Sequence, residues 1–221
     1  MTKVAVCLSG CGVFDGSEIH EAVLVLLALD RAGAEVQCCA PDVAQMHVVN
    51  HLTGEVADGE TRNVLVEAAR IARGEVVDVA QVKAADYDAV VFPGGFGAAK
   101  NLCDFAVRGA DAEGHPEVLR LVRECVEQGT PLGLACIAPA VCATAMKGSG
   151  RQVELTVGRG ADASAALDAM GAKAVPHTVE EIHVDAAARV VTTPAYMEDA
   201  TIAQVASGID AMVAKVLDLA G

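Results

Sequence analysis

Cys136 stands in Leu134-Ala135-Cys136-Ile137-Ala138-Pro139, between a short apolar run that starts at Pro131 and a small-residue stretch that continues to Met146. A nucleophile at such a strand-to-helix junction projects at the carboxyl edge of a sheet, where open α/β folds form their clefts. A thiol there can attack a carbonyl carbon, provided it ionises; at neutral pH only a few per cent of an ordinary thiol is thiolate. The helix expected after Cys136 aims unpaired N–H groups and a partial positive charge at the turn, which predicts a favoured thiolate. Ala138 supplies the small residue such an elbow wants two places after the nucleophile, whereas Leu134 departs from the one expected two places before it. The competing reading is a packed core cysteine, the commoner fate of a free thiol.

Gly94-Gly95 offers a second loop at the same sheet edge, after the apolar run that ends at Phe92 and Pro93. Its backbone N–H groups, with that of Ile137, resemble an oxyanion hole. Glu21 lies in a helical stretch that is apolar from Ala22 to Leu29, so its carboxylate is expected to be partly desolvated and its pKa raised. Glu18, one turn earlier, is the rival carboxylate. Gly10-Cys11-Gly12 lacks the third glycine of a dinucleotide fingerprint, and Asp15 stands where a pyrophosphate would be repelled, so no NAD is expected. Gly95-Phe96-Gly97 with Lys100 lacks phosphate-loop spacing. Gly10 and Cys11, on a loop at the same sheet edge, are expected to line the pocket, Cys11 as a possible second thiol for a disulfide with Cys136, and His51 is a possible pocket group. His115, His177 and His183 read as surface or strand-end residues, and Asp168 and Asp185 as part of a solvated face. The eight cysteines contain no C-x-x-C pair, so neither a zinc site nor any other metal is expected.

The elements that must carry these residues follow from the pattern. Hydrophobic residues are 53% of the 221 and aromatics 3%, so the core is built of Val, Ala, Leu and Ile, which favours parallel strands buried on both faces. Lys3–Ser9, Glu35–Cys39, Glu75–Val79, Tyr87–Phe92, Pro131–Ala135, Val153–Val157, Glu181–Val184 and Arg189–Thr192 read as extended. Ser17–Arg31, Thr61–Ala72, Pro116–Gln128, Ile137–Met146, Ser164–Met170 and Ile202–Val216 read as helices, the first capped by Asp15 or Ser17 and closed by Gly33. Pro41–Gly59 reads as irregular. The alternation predicts a mainly parallel sheet with helices on both sides, in one domain spanning residues 1–221. A net charge of -14 repels phosphate backbones and anionic lipid, which excludes nucleic acid and membrane surfaces as partners. The apolar run Val4–Leu8 is too short for a signal-peptide core and no stretch is long enough to span a bilayer, so a cytoplasmic, reducing location is expected.

Several longer runs carry a family resemblance: Ser9-Gly10-Cys11-Gly12-Val13-Phe14-Asp15-Gly16-Ser17-Glu18-Ile19-His20-Glu21, Asn50-His51-Leu52-Thr53-Gly54-Glu55, Pro93-Gly94-Gly95-Phe96-Gly97-Ala98-Ala99-Lys100-Asn101, Cys136-Ile137-Ala138-Pro139-Ala140 and Thr192-Thr193-Pro194-Ala195-Tyr196-Met197. With these the chain resembles, over nearly its whole length, the ElbB-type branch of the PfpI-like, class I glutamine amidotransferase-like superfamily. The resemblance implies a flavodoxin-like three-layer sandwich and a homodimer. For some members it implies glyoxalase activity on a small dicarbonyl, with no glutathione, metal or other cofactor. It also implies that Glu21 is the acidic residue that approaches Cys136. Two departures matter. Hydrolytic members carry His directly after the nucleophile, where this chain has Ile137, and no His-x-Glu pair lies near the C-terminal end, so amide hydrolysis lacks its general base. The alternative to an enzyme is a redox-responsive or regulatory binding protein that uses the Cys136 thiol.

Overall fold

The structure, a computed structural model, describes residues 1–221. Its strands are β1 (Lys3–Cys7), β2 (Glu35–Ala40), β3 (Val49–Asn50), β4 (Glu55–Val56), β5 (Val76–Asp78), β6 (Ala89–Phe92), β7 (Leu132–Ala135), β8 (Glu154–Leu155), β9 (Lys173–Ala174), β10 (His183–Asp185) and β11 (Val190–Thr193). Its α-helices are α1 (Ile19–Arg31), α2 (Val64–Ile71), α3 (Phe105–Arg108), α4 (Pro116–Gln128), α5 (Pro139–Met146), α6 (Ala161–Ala169) and α7 (Ile202–Ala220). Seven strands form the central sheet in the order β10-β11-β7-β6-β1-β2-β5. All its pairings are parallel except β10 with β11. This is the expected flavodoxin-like α/β sandwich, a mainly parallel sheet between two layers of helices.

The three central strands explain the composition. β6 and β7 are buried at every residue, and β1 at all but Lys3. Alternate side chains serve opposite faces. Ala5, Cys7, Val90, Phe92, Leu132 and Leu134 join the cluster that α4 and α5 cover, while Val4, Val6, Ala89 and Val91 join the cluster of α1 and α7. Strands apolar on both faces therefore read as unbroken runs rather than alternating ones.

From β1 the chain winds outward to β2 and β5, then crosses back to β6, β7 and β11 on the other side. The reversal of winding between β1 and β6 opens a crevice at their carboxyl ends. Loops 8–18, 93–97 and 136–138 follow three neighbouring strands and so meet at one edge.

Several expectations need correction. Helix α1 starts at Ile19, and its cap is Glu18, whose carboxylate accepts the Glu21 N–H at 2.7 Å. Asp15 and Ser17 are turned to other work: Asp15 accepts the Val49 N–H at 2.7 Å, and Ser17 Oγ accepts the Ser9 N–H at 2.9 Å. The Val153–Val157 run gives only the two-residue β8, which pairs with β9 outside the main sheet. The Pro41–Gly59 excursion contains the hairpin β3–β4. Helix α2 is shorter than Thr61–Ala72, because Asn63 caps it by accepting the Val66 N–H. Helix α6 begins at Ala161, three residues ahead of the expected Ser164. Asp185 is buried, accepting N–H groups of Glu154, Ala187 and Ala188. No helix is long and apolar enough to cross a membrane.

Candidate active site

Cys136 has φ +60°, a left-handed conformation in a residue other than glycine. That turn ends β7 abruptly, and the Cys136 N–H still completes the sheet by donating to Thr193 O at 2.9 Å. Helix α5 begins only at Pro139, so the first free amide near the sulfur is that of Ile137. The Gly95 amide approaches the sulfur as well.

Gly94 shows how tightly the site is drawn together. A β-carbon on it would lie 2.3 Å from Cβ and 2.9 Å from Sγ of Cys136, and 2.6 Å from Oε2 of Glu21. Only glycine leaves room for the sulfur and the carboxylate to share that space. Oε2 of Glu21 accepts the Gly94 N–H at 2.9 Å, and Oε1 accepts the Tyr196 N–H at 3.2 Å. Glu21 is fully buried, so its carboxyl is locked in place from two directions.

Burial, followed by the charge of Glu18, pushes the Glu21 carboxyl up to about 8 against the opposing pull of its hydrogen bonds from Tyr196, Cys136 and Gly94. Burial and then the Glu21 charge raise the Cys136 thiol well above its ordinary value, and the amides of Gly95 and Ile137 only partly offset this. The expected resting thiolate is therefore corrected. Cys136 is 7% exposed, and at that burial the desolvation of a bare sulfur anion outweighs two amide donors.

The sulfur opens onto a pocket of about 160 Å³ lined by Val13, Glu18, Gly95, Phe96, Cys136, Ile137, Tyr196 and Met197. Gly95 can take the required φ of +95°, and a β-carbon there would collide with the backbone of Gly16 and Glu18. Sequence reasoning gave no role to Val13, Phe96, Tyr196 or Met197. The signal for the last two lay in β11: its parallel register against β7, Thr193 beside Ala135, carries the following residues to the same edge. Ala195, with φ +44°, then turns Tyr196 back toward Glu21, and the Tyr196 hydroxyl meets His20 Nδ1 at 2.9 Å on the rim.

Three expected pocket residues lie elsewhere. Gly10 faces Gln45 and Gly16. Cys11 is partly exposed, among the charges of Glu67, Arg70, Asp15 and Arg62, and all eight cysteines are free thiols. His51 borders a separate cavity of about 330 Å³, with Val48, Val49, Asn50, Ala57, Glu60 and Arg62. Gly10 and Cys11 lie in the loop after β1 and His51 in the β3–β4 turn; of the loop after β1 it is Val13 and Glu18 that reach the pocket.

Residues 3–200 match the DJ-1/PfpI family. The chain is 50% identical to human glutamine amidotransferase-like class 1 domain-containing protein 3, mitochondrial, over 99% of this chain and 84% of that protein. It is 32% identical to the zebrafish ES1 protein, mitochondrial, over 89% of this chain and 77% of that one. Among solved structures it resembles an isoprenoid biosynthesis protein with an amidotransferase-like domain from Ehrlichia chaffeensis, with a TM-score of 0.90 and 38% identity over 98% and 99% of the two chains. The names of the human and zebrafish relatives place those proteins in the mitochondrion, which lends no support to the expected cytoplasmic location. The turn that carries Cys136, the sheet that presents it and these relatives agree on one assignment: the chain belongs to the DJ-1/PfpI family.

Proposed function

We propose that this protein converts glyoxal, or a related small dicarbonyl, to the corresponding 2-hydroxy acid through a covalent intermediate on Cys136. The observation that carries the reading is the meeting of one buried carboxyl, Glu21, and two backbone amides, Gly95 and Ile137, at a single sulfur beneath a small pocket. A volume of about 160 Å³ is below the ~300 Å³ at which clefts for larger ligands begin, which favours a substrate of a few heavy atoms.

In the proposed sequence Glu21, once ionised, takes the thiol proton as Sγ attacks one aldehyde carbon and passes it to the new oxyanion, giving a hemithioacetal and leaving the carboxylate free again. The C–H of that carbon loses its proton to Glu21, forming an enediolate; the hydroxyl proton passes to the neighbouring oxygen as Glu21 returns its own proton to the neighbouring carbon. The product is a 2-hydroxy thioester, and water then releases glycolate and restores the thiol. One carbon is oxidised as the other is reduced, so the reaction balances without a redox cofactor. The amides of Gly95 and Ile137 face the developing oxyanion. Ile137, in place of a histidine, supports this over amide hydrolysis, which would need a second base.

The proposal includes a homodimer of one-domain subunits in a reducing compartment, checked by light scattering. Its decisive test follows glycolate formation from glyoxal by NMR. Cys136→Ala is expected to abolish turnover with an unchanged circular dichroism spectrum; turnover that survives the substitution rejects the reading. The alternative, a thiol used for redox signalling, is disfavoured by the burial of the sulfur. It would gain if mild peroxide oxidised Cys136 stoichiometrically in a protein that leaves glyoxal untouched.

A further inference from the structure

Two of the runs noted in the sequence, the loop after β1 and the β3–β4 hairpin, place His51 and Asp15 away from the sulfur, yet they meet each other. His51 Nδ1 lies 3.0 Å from Val49 O. A carbonyl only accepts, so Nδ1 carries the proton and Nε2 is left as an acceptor. Nε2 takes the Phe14 N–H at 3.2 Å, and the two rings lie 5.1 Å apart between centroids. Asp15 closes the latch from the other side: Oδ2 accepts the Val49 N–H at 2.7 Å, while Oδ1, buried and without a hydrogen-bond partner, lies 3.7 Å from Nε2.

The next residue along from Phe14 toward the N-terminus is Val13, a wall of the reactive pocket. Val13 O accepts the Phe96 N–H at 2.8 Å, and Lys100 Nζ donates to Phe14 O at 2.8 Å. The loop is thus held on its inner side by the segment after β6 and on its outer side by the hairpin. Gly12 fits the same picture, since a β-carbon there would come within 2.6 Å of the His51 ring and 2.9 Å of Asp15 Oδ1.

We infer that His51 is a positioning residue: by accepting the Phe14 amide it latches the loop that keeps Val13 over Cys136, so that the β3–β4 hairpin sets the width of the reactive pocket. The inference rests on that pocket being the reactive site, and its test does not require turnover of glyoxal. Iodoacetamide alkylation of Cys136, followed by peptide mass mapping to separate it from Cys11, reads the opening directly. His51→Ala should raise the Cys136 rate about fivefold, the worth of one hydrogen bond. His51→Gln should restore the original rate, because its Oε1 can accept from Phe14 while its amide donates to Asp15 Oδ1. Gly12→Ala should raise the rate as His51→Ala does by displacing the ring, and combining the two should add little further. A rate unchanged or slowed in His51→Ala, or equal rates in the Ala and Gln variants, overturns the inference. Loss of glyoxal turnover as a property of the protein would leave these rates standing.

Discussion

At the sulfur two acids that both resist ionisation lie side by side, beneath a pocket whose walls include Tyr196, Phe96 and Met197. The Glu21 carboxyl is raised from an ordinary 4.5 to about 8. Between those values the folded protein keeps a proton that the unfolded chain has released. Stability from this group is therefore fully present below about pH 4.5 and is lost as pH rises toward about 8. Thermal unfolding followed across that interval should show a midpoint that falls with pH, and Glu21→Gln should flatten the fall. The same substitution should slow glyoxal turnover by about a hundredfold or more, the usual contribution of a positioned acid–base group. In the unaltered protein, turnover should rise through about pH 8 as Glu21 ionises. Cys136 was legible in the chain because it follows a short apolar run, and the burial of Glu21 because it opens an apolar helix, whereas the choice of Glu21 over Glu18 as the partner of the sulfur came from the family resemblance. The protonation state of the sulfur was not legible. It depends on burial and on the Glu21 charge, set by elements remote in sequence whose closeness to Cys136 only the sheet order reveals.

Among the elements, the turn after β6 carries the narrowest tolerance. Gly94→Ala places a methyl where the Cys136 side chain and Glu21 Oε2 already are. Relief requires one of them to move, and overpacking of this kind costs about 1–3 kcal/mol. Urea titration should register that loss, and glyoxal turnover should fall with it because the carboxyl and sulfur are pushed apart. The apolar runs behind β1, β6 and β7 and the periodicity of α4 were readable because burial on two faces or one leaves a plain pattern in sequence. β8 was misread as a longer strand since Val153, Leu155 and Val157 are equally apolar. What decides its length is the short partner β9, a tertiary fact absent from the local pattern. The cap of α1 was missed for a similar reason. Asp15 and Ser17 are better capping types than Glu18, but both are already engaged with groups remote from the helix.

For the molecule as a whole, α7 is the longest helix, packed on one face of the sheet. Val205, Ile209, Met212, Val213 and Val216 are buried along one side, and Thr201 with Gln204 forms a capping box at its start. Ile209→Ala should destabilise the protein by about 2–5 kcal/mol in urea, with little change in the pH at which turnover rises, since no part of that side chain lines the pocket. A total stability of about 5–15 kcal/mol is usual for a folded domain, and that sets the scale for the bend at Cys136. A β-carbon in left-handed backbone works against folding by about 1 kcal/mol or more, and glycine would sit there at ease. The sheet has no use for sulfur at that point. Durability and reactivity thus pull in opposite directions at position 136: the change that would most simply make the chain hardier also erases the atom on which its proposed chemistry depends.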